Sequence, residues 1–243
     1  MKTMIQAHRG SSAYCPENTL EAFSMAVAQK ADGIELDVQL SKDGQVVVVH
    51  DENLERISNG KGFVHEHTLE ELKSLDCSKL FPNQGPCRIP TLAEVYTLLK
   101  PTSLMVNVEL KTSRFLYPGL PEKLAALGCE YAMEERIIYS SFNHYSLLEI
   151  KKLCPAARTG LLYQMGMVDP WVYANYVNAY AIHPHYFVIT HLPETVENCH
   201  KNGVNVNVWT VDDPEVIKQL VQYGVDTIIT NKPDIALAVR DGV

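Results

Sequence analysis

Two carboxylates stand two residues apart in the stretch 33–39, at Glu35 and Asp37. Apolar residues fill the alternate positions, and this period of two is typical of a β-strand. Both carboxylates therefore project from one face of the strand, about 7 Å apart. Side by side they repel each other and raise each other's pKa unless a cation lies between them. The pattern indicates half of a metal site; a half-solvated strand with an acidic outer face is the alternative interpretation.

Other residues that could bind a ligand or take part in catalysis end or follow further strand-like stretches of the chain. They are His8, Arg9, His50, Glu109, Lys111 and Trp209. Three carboxylates without a thiolate suit Ca²⁺ or Mg²⁺ better than zinc. Arg and Lys suit a phosphate group, the first as a planar fork and the second as a point charge. A pair of histidines can donate and accept protons near neutral pH, and Asp51 is available to orient His50.

Together these groups match the requirements of phosphodiester cleavage. The nonbridging oxygens need charge neutralisation, the nucleophile must lose a proton, and the leaving alkoxide must gain one. Each residue also has a structural interpretation. Glu109 and Lys111 could form a simple salt pair on one face of a strand, and Trp209 could fill the interior of a barrel. Whether Glu17 pairs with Arg9 stays open at this point.

The elements that must position these residues alternate regularly between strand-like and helix-like patterns. If the apolar run 46–49 is counted as an extension of the second unit, the chain contains eight βα units. The predicted strands are 4–8, 33–39, 104–110, 136–141, 158–162, 179–183, 204–209 and 226–230. Eight such units in 243 residues favour a (β/α)8 TIM barrel. Reactive groups of this fold lie where strands end, which is where the residues above stand.

We expect a single domain over residues 1–243 with a small insertion at 52–90 inside it. The insertion is rich in Asn, Gly, Lys and Pro and has one short helical patch at 68–75. We expect it to lie over the barrel mouth rather than to form a separate domain with its own core. At the start of the first helix, Asn18 and Glu21 resemble a capping box.

Composition excludes several classes of function. The net charge of −8 argues against nucleic acid as a partner, since such proteins normally carry a basic patch. No run of 18 apolar residues occurs and the first ten residues do not resemble a signal peptide, so we expect neither membrane insertion nor secretion. The six cysteines are scattered, and we expect free thiols and a cytoplasmic location.

Eight short motifs carry a family resemblance along nearly the whole chain. They are AHRG at 7–10, PENT at 16–19, GIELDVQLSKDG at 33–44, VVVHDENLERISNGKG at 47–62, IPTLAEV at 89–95, VNVELK at 106–111, VNVWTV at 206–211 and IITNKP at 228–233. In this order they resemble the glycerophosphodiester phosphodiesterases. The resemblance implies a (β/α)8 barrel with a small insertion after the second strand. It also implies metal-dependent hydrolysis of glycerophosphodiesters, such as glycerophosphocholine and glycerophosphoethanolamine, to sn-glycerol 3-phosphate and an alcohol.

The resemblance also implies roles for individual residues. Carried over by position, the metal ligands are Glu35, Asp37 and Glu109, the acid and base are His8 and His50, and the phosphate-binding residues are Arg9 and Lys111. In the family mechanism the adjacent glycerol hydroxyl attacks phosphorus, and water then opens the cyclic phosphate. The order of the histidines is open in the sequence; our interpretation takes His50 as the base and His8 as the acid. Trp209 is expected to pack against the glycerol carbons.

Other positions carry weaker hypotheses. Phe142 could be a second aromatic contact for the substrate. For His183, His185 and Tyr186, in the loop after the sixth strand, an ordinary loop is favoured over contact with the substrate. Asn231 stands where members of the family commonly carry Asp; it lies away from the core motifs, and we expect this departure to matter little.

Two other functions compete with this hypothesis. A lysophospholipase D on the same barrel, acting on lysolipids or N-acyl ethanolamine phosphodiesters, would need an apolar channel or a membrane-facing loop. A binding protein that has lost turnover would lack a histidine or a metal ligand, and none is missing. We therefore expect a small-molecule diester as the partner.

Overall fold

Eight parallel strands close into a barrel in the computed structural model, which describes residues 2–243. The strands are β1 Met4–His8, β2 Gly33–Leu40, β3 Val46–Val48, β4 Met105–Leu110, β5 Ile137–Ser141, β6 Arg158–Tyr163, β7 Ala181–Pro184, β8 Asn205–Val208 and β9 Thr227–Thr230. All except β3 pair in parallel with their neighbours, and β1 pairs with both β2 and β9, which closes the sheet. The predicted (β/α)8 barrel is confirmed.

Strand β3 stands outside this parallel order. It runs antiparallel to the last part of β2, with Val48 opposite Val38 and Val46 opposite Leu40. Parallel pairing of β2 with β4 ends at Val38, so β2 continues beyond the barrel as one arm of a hairpin. We predict from the sequence that Glu35 and Asp37 end their strand. They lie in the middle of β2 instead. They still stand at the carboxyl edge of the barrel, because the remainder of β2 belongs to the hairpin.

The described chain contains ten α-helices packed around the strands. They are α1 Leu20–Ala28, α2 Leu69–Ser74, α3 Leu92–Leu99, α4 Leu120–Glu130, α5 His144–Leu153, α6 Pro170–Tyr176, α7 Tyr186–His191, α8 Glu194–Lys201, α9 Pro214–Tyr223 and α10 Pro233–Asp241. Helix α7 was not predicted. Thr19 caps α1 by accepting a hydrogen bond from the backbone N–H of Ala22, so the predicted capping by Asn18 is wrong. The Asn18 side chain bonds Asp37 instead.

The apolar face of each strand points outward to the helices. Ile34, Leu36 and Val38 of β2 are fully buried in the main core, which also contains Phe23 of α1. This leaves Glu35 and Asp37 on the opposite, inward face, as period-two alternation requires. A second, smaller cluster joins β3 to the insertion, and its members are Val47, Val49, Leu54, Ile57, Val64, Leu72, Cys77 and Ile89.

Below the carboxyl edge, the barrel interior holds buried polar side chains. His183 lies in β7, in agreement with the predicted strand 179–183, so grouping it with His185 and Tyr186 in the loop after that strand is wrong. Its ring is fully buried, and Asn207 Nδ2 donates a hydrogen bond to its Nε2 at 2.9 Å. Burial lowers the pKa of His183 to about 3. The ring fits because the neighbouring strand carries Gly160, where a Cβ atom would lie 2.2 Å from His183 Nε2.

We therefore expect Gly160→Ala to lower the free energy of unfolding by about 2 kcal/mol, the usual cost of overpacking a filled interior. Urea denaturation of the purified protein measures this loss. The matched control is Gly166→Ala, because a Cβ atom at Gly166 has no neighbour within 4 Å among the described residues. Equal unfolding midpoints for the two variants would contradict the packing of His183 over Gly160.

Candidate metal and catalytic site

Three carboxylates converge at the carboxyl edge of the barrel. The register of β2 and β4 places Asp37 opposite Glu109 and Glu35 opposite Asn107. One ligand atom from each of Glu35, Asp37 and Glu109 lies within 4.8 Å of the others. In residues 2–243 this is the only group of three or more acidic, histidine or cysteine side chains arranged so closely. The structure thus brings together the three predicted metal ligands.

The electrostatics of this cluster favour the binding of a cation. Burial, followed by the charges of Asp37 and Glu109, raises the pKa of Glu35 well above its usual range. Burial also raises the pKa of Glu109, and the Lys111 ammonium offsets this only in part. At Asp37, burial is outweighed by the nearby His50 ring, the Lys111 and Arg9 charges and the hydrogen bond from Asn18, and its pKa falls below its usual range. An added cation stabilises these three acidic groups together, because it favours the charged form of each.

The donor set fits a hard divalent cation. Asn18 Nδ2 donates to Asp37 Oδ2 at 2.8 Å, which orients the carboxylate. Its second oxygen, Oδ1, is buried and accepts no hydrogen bond from residues 2–243. Oxygen donors of this kind are the ligands that Ca²⁺ and Mg²⁺ prefer. The residues present therefore fit the predicted ion.

Both predicted phosphate-binding cations flank the carboxylates. Lys111 Nζ lies 2.8 Å from Glu109 Oε1 and 3.7 Å from Asp37 Oδ1. Arg9 Nε lies 3.5 Å from Asp37 Oδ2, and Arg9 Nη1 donates to Glu17 Oε1 at 2.9 Å. The pairing of Arg9 with Glu17, left open by the sequence, is present. The two cations lie on either side of Asp37, where an anion bound at the site would meet both.

The loop after β1 is held in an unusual backbone conformation. Arg9 has a φ of 55° and Asn18 a φ of 57°, both in the left-handed region. Hydrogen bonds stabilise the two positions: the Arg9 N–H donates to Glu35 Oε2 at 2.9 Å, and the Asn18 N–H donates to the Arg9 carbonyl at 2.9 Å. This loop therefore depends directly on the carboxylates that it helps to orient.

His8 reaches the site from the end of β1. Its Nε2 lies 3.9 Å from Glu35 Oε2, and its Nδ1 lies 2.7 Å from Asn231 Oδ1. Since Asn231 Nδ2 donates to Asp212 Oδ2 at 2.6 Å, its oxygen faces His8, and the His8 Nδ1–H is the donor. This assigns the neutral His8 ring a free Nε2. Burial and the Arg9 charge lower the pKa of His8 to about 4.

Asn231 lies at the site, so the departure from Asp has more weight than we expect from its distance to the core motifs. Strand β9 pairs with β1, so the residue after β9 stands beside the residue that ends β1. Asn231 is therefore a direct partner of His8, although 223 residues separate them in sequence. Its position directly after the last strand is a signal that could have indicated this contact.

His50 reaches the site from the hairpin that β2 and β3 form. Its Nδ1 lies 2.6 Å from Asp51 Oδ1, the orienting contact considered from the sequence. Gln39 Nε2 donates to the carbonyls of Val49, His50 and Asp51 at 3.0–3.1 Å, which fixes the backbone around the ring. Each histidine thus has its Nδ1 held by an oxygen of a neighbouring side chain.

Trp209 lies directly after β8 and lines a cavity of about 20 Å³ with His8, Glu35 and Glu109. Its Nε1 donates to the His183 carbonyl at 2.8 Å. The ring centroid of Phe142 lies 5.5 Å from that of Trp209. The structure therefore places the two aromatic candidates together at the site.

Sequence reasoning missed two charged residues. Arg56 of the insertion bonds both Asp51 and Glu17, and Asp212 in the loop after β8 bonds Asn231. Arg56 lies in the same 47–62 motif as His50, which could have drawn attention to it. Asp212 stands three residues after Trp209 and has no comparable sequence signal.

The fold and site define a class: (β/α)8-barrel proteins whose carboxyl edge combines an acidic cation site with two histidines and two cationic side chains. Such a site serves the chemistry of phosphate esters. Within residues 2–243, none of the helices combines the length and apolar character required to cross a bilayer.

Comparison with known proteins identifies the family. The glycerophosphoryl diester phosphodiesterase family pattern matches residues 8–235. A glycerophosphodiester phosphodiesterase of Caldanaerobacter subterraneus subsp. tengcongensis is 51% identical over 244 residues, covering 100% of both chains. One of Bacillus altitudinis is 40% identical over 241 residues, covering 98% of each. The structure of an Oleispira antarctica phosphodiesterase in complex with the product sn-glycerol-3-phosphate is 28% identical with a TM-score of 0.88, covering 99% of this chain and 97% of that one.

This chain therefore belongs to the glycerophosphoryl diester phosphodiesterase family, a family of hydrolases. The resemblance that its motifs carry is confirmed.

We expect Asp37→Asn to weaken binding of Ca²⁺ or Mg²⁺ by about 100-fold or more, because removing even a group that supports a metal ligand costs 10- to 100-fold in affinity. The amide keeps the shape of the side chain and removes its charge. Titration calorimetry after treatment with a chelator measures the affinity. Glu197→Gln, an exposed change on α8, is the control. Unchanged affinity in Asp37→Asn would exclude Asp37 as a ligand.

Proposed function

We propose that this protein hydrolyses glycerophosphodiesters to sn-glycerol 3-phosphate and an alcohol in a reaction that requires a divalent metal ion. Substrates of this class include glycerophosphocholine and glycerophosphoethanolamine. The observation that carries the proposal is the convergence of three carboxylates, two histidines and two cations at one edge of the barrel. Relatives named glycerophosphodiester phosphodiesterase over the full chain length support it.

Glu35, Asp37 and Glu109 would hold the ion, Ca²⁺ or Mg²⁺. When bound, such an ion neutralises negative charge on phosphate oxygens. The protein's own cations neutralise the negative charge that remains on the phosphate. Arg9 and Lys111 both border Asp37, so a phosphate held next to the carboxylates lies within reach of a guanidinium and an ammonium. Arg9 Nε is buried and donates no hydrogen bond within residues 2–243, which leaves it available for this contact.

The two histidines divide the proton transfers. We assign His50 as the base that takes the proton of the attacking glycerol hydroxyl, because its Nδ1 contacts the Asp51 carboxylate, which stabilises the imidazolium that forms. His8 then protonates the leaving alcohol through Nε2. Its Nδ1 partner is the neutral Asn231 amide. An imidazolium beside an amide gives up its proton more readily than one beside a carboxylate. The negative charge of the bound diester favours the protonated form of His8 that this role requires.

Trp209 lines the same cavity as His8, Glu35 and Glu109, and we assign it to the carbon atoms of the glycerol moiety. Packing against an aromatic face suits the C–H surface of a small alcohol and leaves its hydroxyls free.

We also infer a cytoplasmic location, since the structure contains six cysteines without disulfide partners in its described residues.

The test of the activity is an assay of the purified protein on glycerophosphocholine and glycerophosphoethanolamine, with lysophosphatidylcholine alongside. We expect release of sn-glycerol 3-phosphate from the first two with added Ca²⁺ or Mg²⁺, and loss of this release with EDTA. No product in the presence of either ion would refute the proposed function. Faster turnover of lysophosphatidylcholine would show that a lysolipid is the better substrate.

Replacing either histidine should abolish most of the turnover. We expect His8→Ala and His50→Ala each to lower kcat by roughly 10²- to 10⁴-fold, the usual contribution of a general acid or base. Steady-state kinetics with glycerophosphocholine measures the loss. His200→Ala serves as the control, because His200 is an exposed α8 residue that contacts Asp226 instead of the site. Near-normal turnover in either site variant would rule out its assigned role.

A further inference from the structure

A continuous chain of ionic hydrogen bonds joins the two loops that carry His50 and Arg9. His50 Nδ1 lies 2.6 Å from Asp51 Oδ1, and Arg56 Nε donates to Asp51 Oδ2. Arg56 then donates to Glu17 from both terminal nitrogens, at 2.8 and 2.6 Å. Glu17 accepts a further bond from Arg9 Nη1 at 2.9 Å. Histidine, carboxylate, guanidinium, carboxylate and guanidinium alternate along this chain.

Arg56 is the central link and the contribution of the insertion. It stands in residues 52–90, whereas Asp51 ends the β2–β3 hairpin and Glu17 belongs to the loop after β1. The guanidinium is a rigid planar fork that can bind two carboxylates in fixed directions, which a lysine cannot reproduce. Its side chain is 41% exposed, so the ion pairs are screened and their effect is on geometry more than on stability.

The orientation of the His50 ring depends on this link. The backbone around His50 is fixed by Gln39, but the only side-chain hydrogen bond to the ring among the described residues comes from Asp51. Asp51 itself is 27% exposed, and Arg56 is its other side-chain partner. Without Arg56, the Asp51 carboxylate is free to turn toward water, and the ring that it orients loses its fixed direction.

We propose that Arg56 is a positioning residue for catalysis. Through Asp51 it sets the direction of His50, and through Glu17 it sets the distance between that hairpin and the loop that carries Arg9. The insertion thereby takes part in the reaction without touching the substrate. This inference rests on the proposed function for the roles of His50 and Arg9.

A purely structural role makes different predictions. If Arg56 only attached the insertion to the barrel, its loss would lower stability and leave the chemical step unchanged in the folded protein. Arg88 provides the matched comparison, because it is also an insertion arginine. Its Nη1 donates to the carbonyls of Ser74 and Leu75 at 2.8 Å each, and it forms no hydrogen bond with Asp51, Arg56 or Glu17.

The experiment compares Arg56→Gln, Arg56→Lys and Arg88→Gln in the metal-loaded full-length enzyme with glycerophosphocholine. We expect Arg56→Gln to lower kcat by roughly 10- to 100-fold, as is common for residues that orient a functional group, while KM changes by less than about threefold. Arg56→Lys should recover only part of the loss, since one ammonium cannot hold both carboxylates. Arg88→Gln should keep kcat within about twofold of the wild-type value, even where its melting temperature falls.

A second readout does not depend on turnover. Nitrogen-15 NMR of the His50 ring should give sharp, distinct Nδ1 and Nε2 signals in the wild type and in Arg88→Gln, and averaged or broadened signals in Arg56→Gln. Unchanged kcat together with unchanged ring signals in Arg56→Gln would overturn the proposal. If the wild-type protein releases no sn-glycerol 3-phosphate, the proposed function fails, and the ring signals still decide whether Arg56 orients His50.

Discussion

Three carboxylates, two buried and one half-buried, with ligand atoms within 4.8 Å of one another are the constraint on which this structure depends. Like charges at such a distance in a low-dielectric interior cannot all stay ionised without compensation. The charged and polar neighbours of the cluster provide part of this compensation. Lys111 and Arg9 flank it, Asn18 donates to Asp37, and the Arg9 backbone N–H donates to Glu35. The protein surrounds the cluster with positive charge and leaves one buried Asp37 oxygen for an ion.

The barrel solves the geometric part of the same problem. Parallel strands in register place Glu35 and Asp37 of β2 beside Glu109 of β4 on the inward face. Closure between β1 and β9 then brings Asn231 to His8. Because β2 continues into a hairpin with β3, His50 is returned over the carboxyl edge instead of being carried away to a helix. The hairpin is thus an extension of β2, the strand that carries Glu35 and Asp37 on its inward face, and the insertion follows this hairpin.

The two histidines share a ring geometry but differ in electrostatic surroundings. Each has its Nδ1 held by a side-chain oxygen, which leaves Nε2 to meet a substrate. The partner of His50 is a carboxylate that also binds Arg56, whereas the partner of His8 is an amide that also binds Asp212. The two imidazole rings therefore differ in proton affinity because their Nδ1 partners differ. This inequality is the basis on which we assign them different roles.

The sequence by itself determined most of the fold and the types of residue at the site. Spacing by two placed Glu35 with Asp37 and Glu109 with Lys111 on common faces, and the eight alternating units indicated the barrel. These predictions succeeded because strand periodicity is local. The short helix α7 was missed, since six residues directly after a strand carry too little periodicity to distinguish a helix from a loop. Only the tertiary structure decided the partners of the site residues: Asn231 with His8, Asn18 with Asp37, and Arg56 with both Asp51 and Glu17. Most of these contacts join side chains that are far apart in sequence, and the closure and register of the barrel, which no local pattern encodes, bring them within hydrogen-bonding distance.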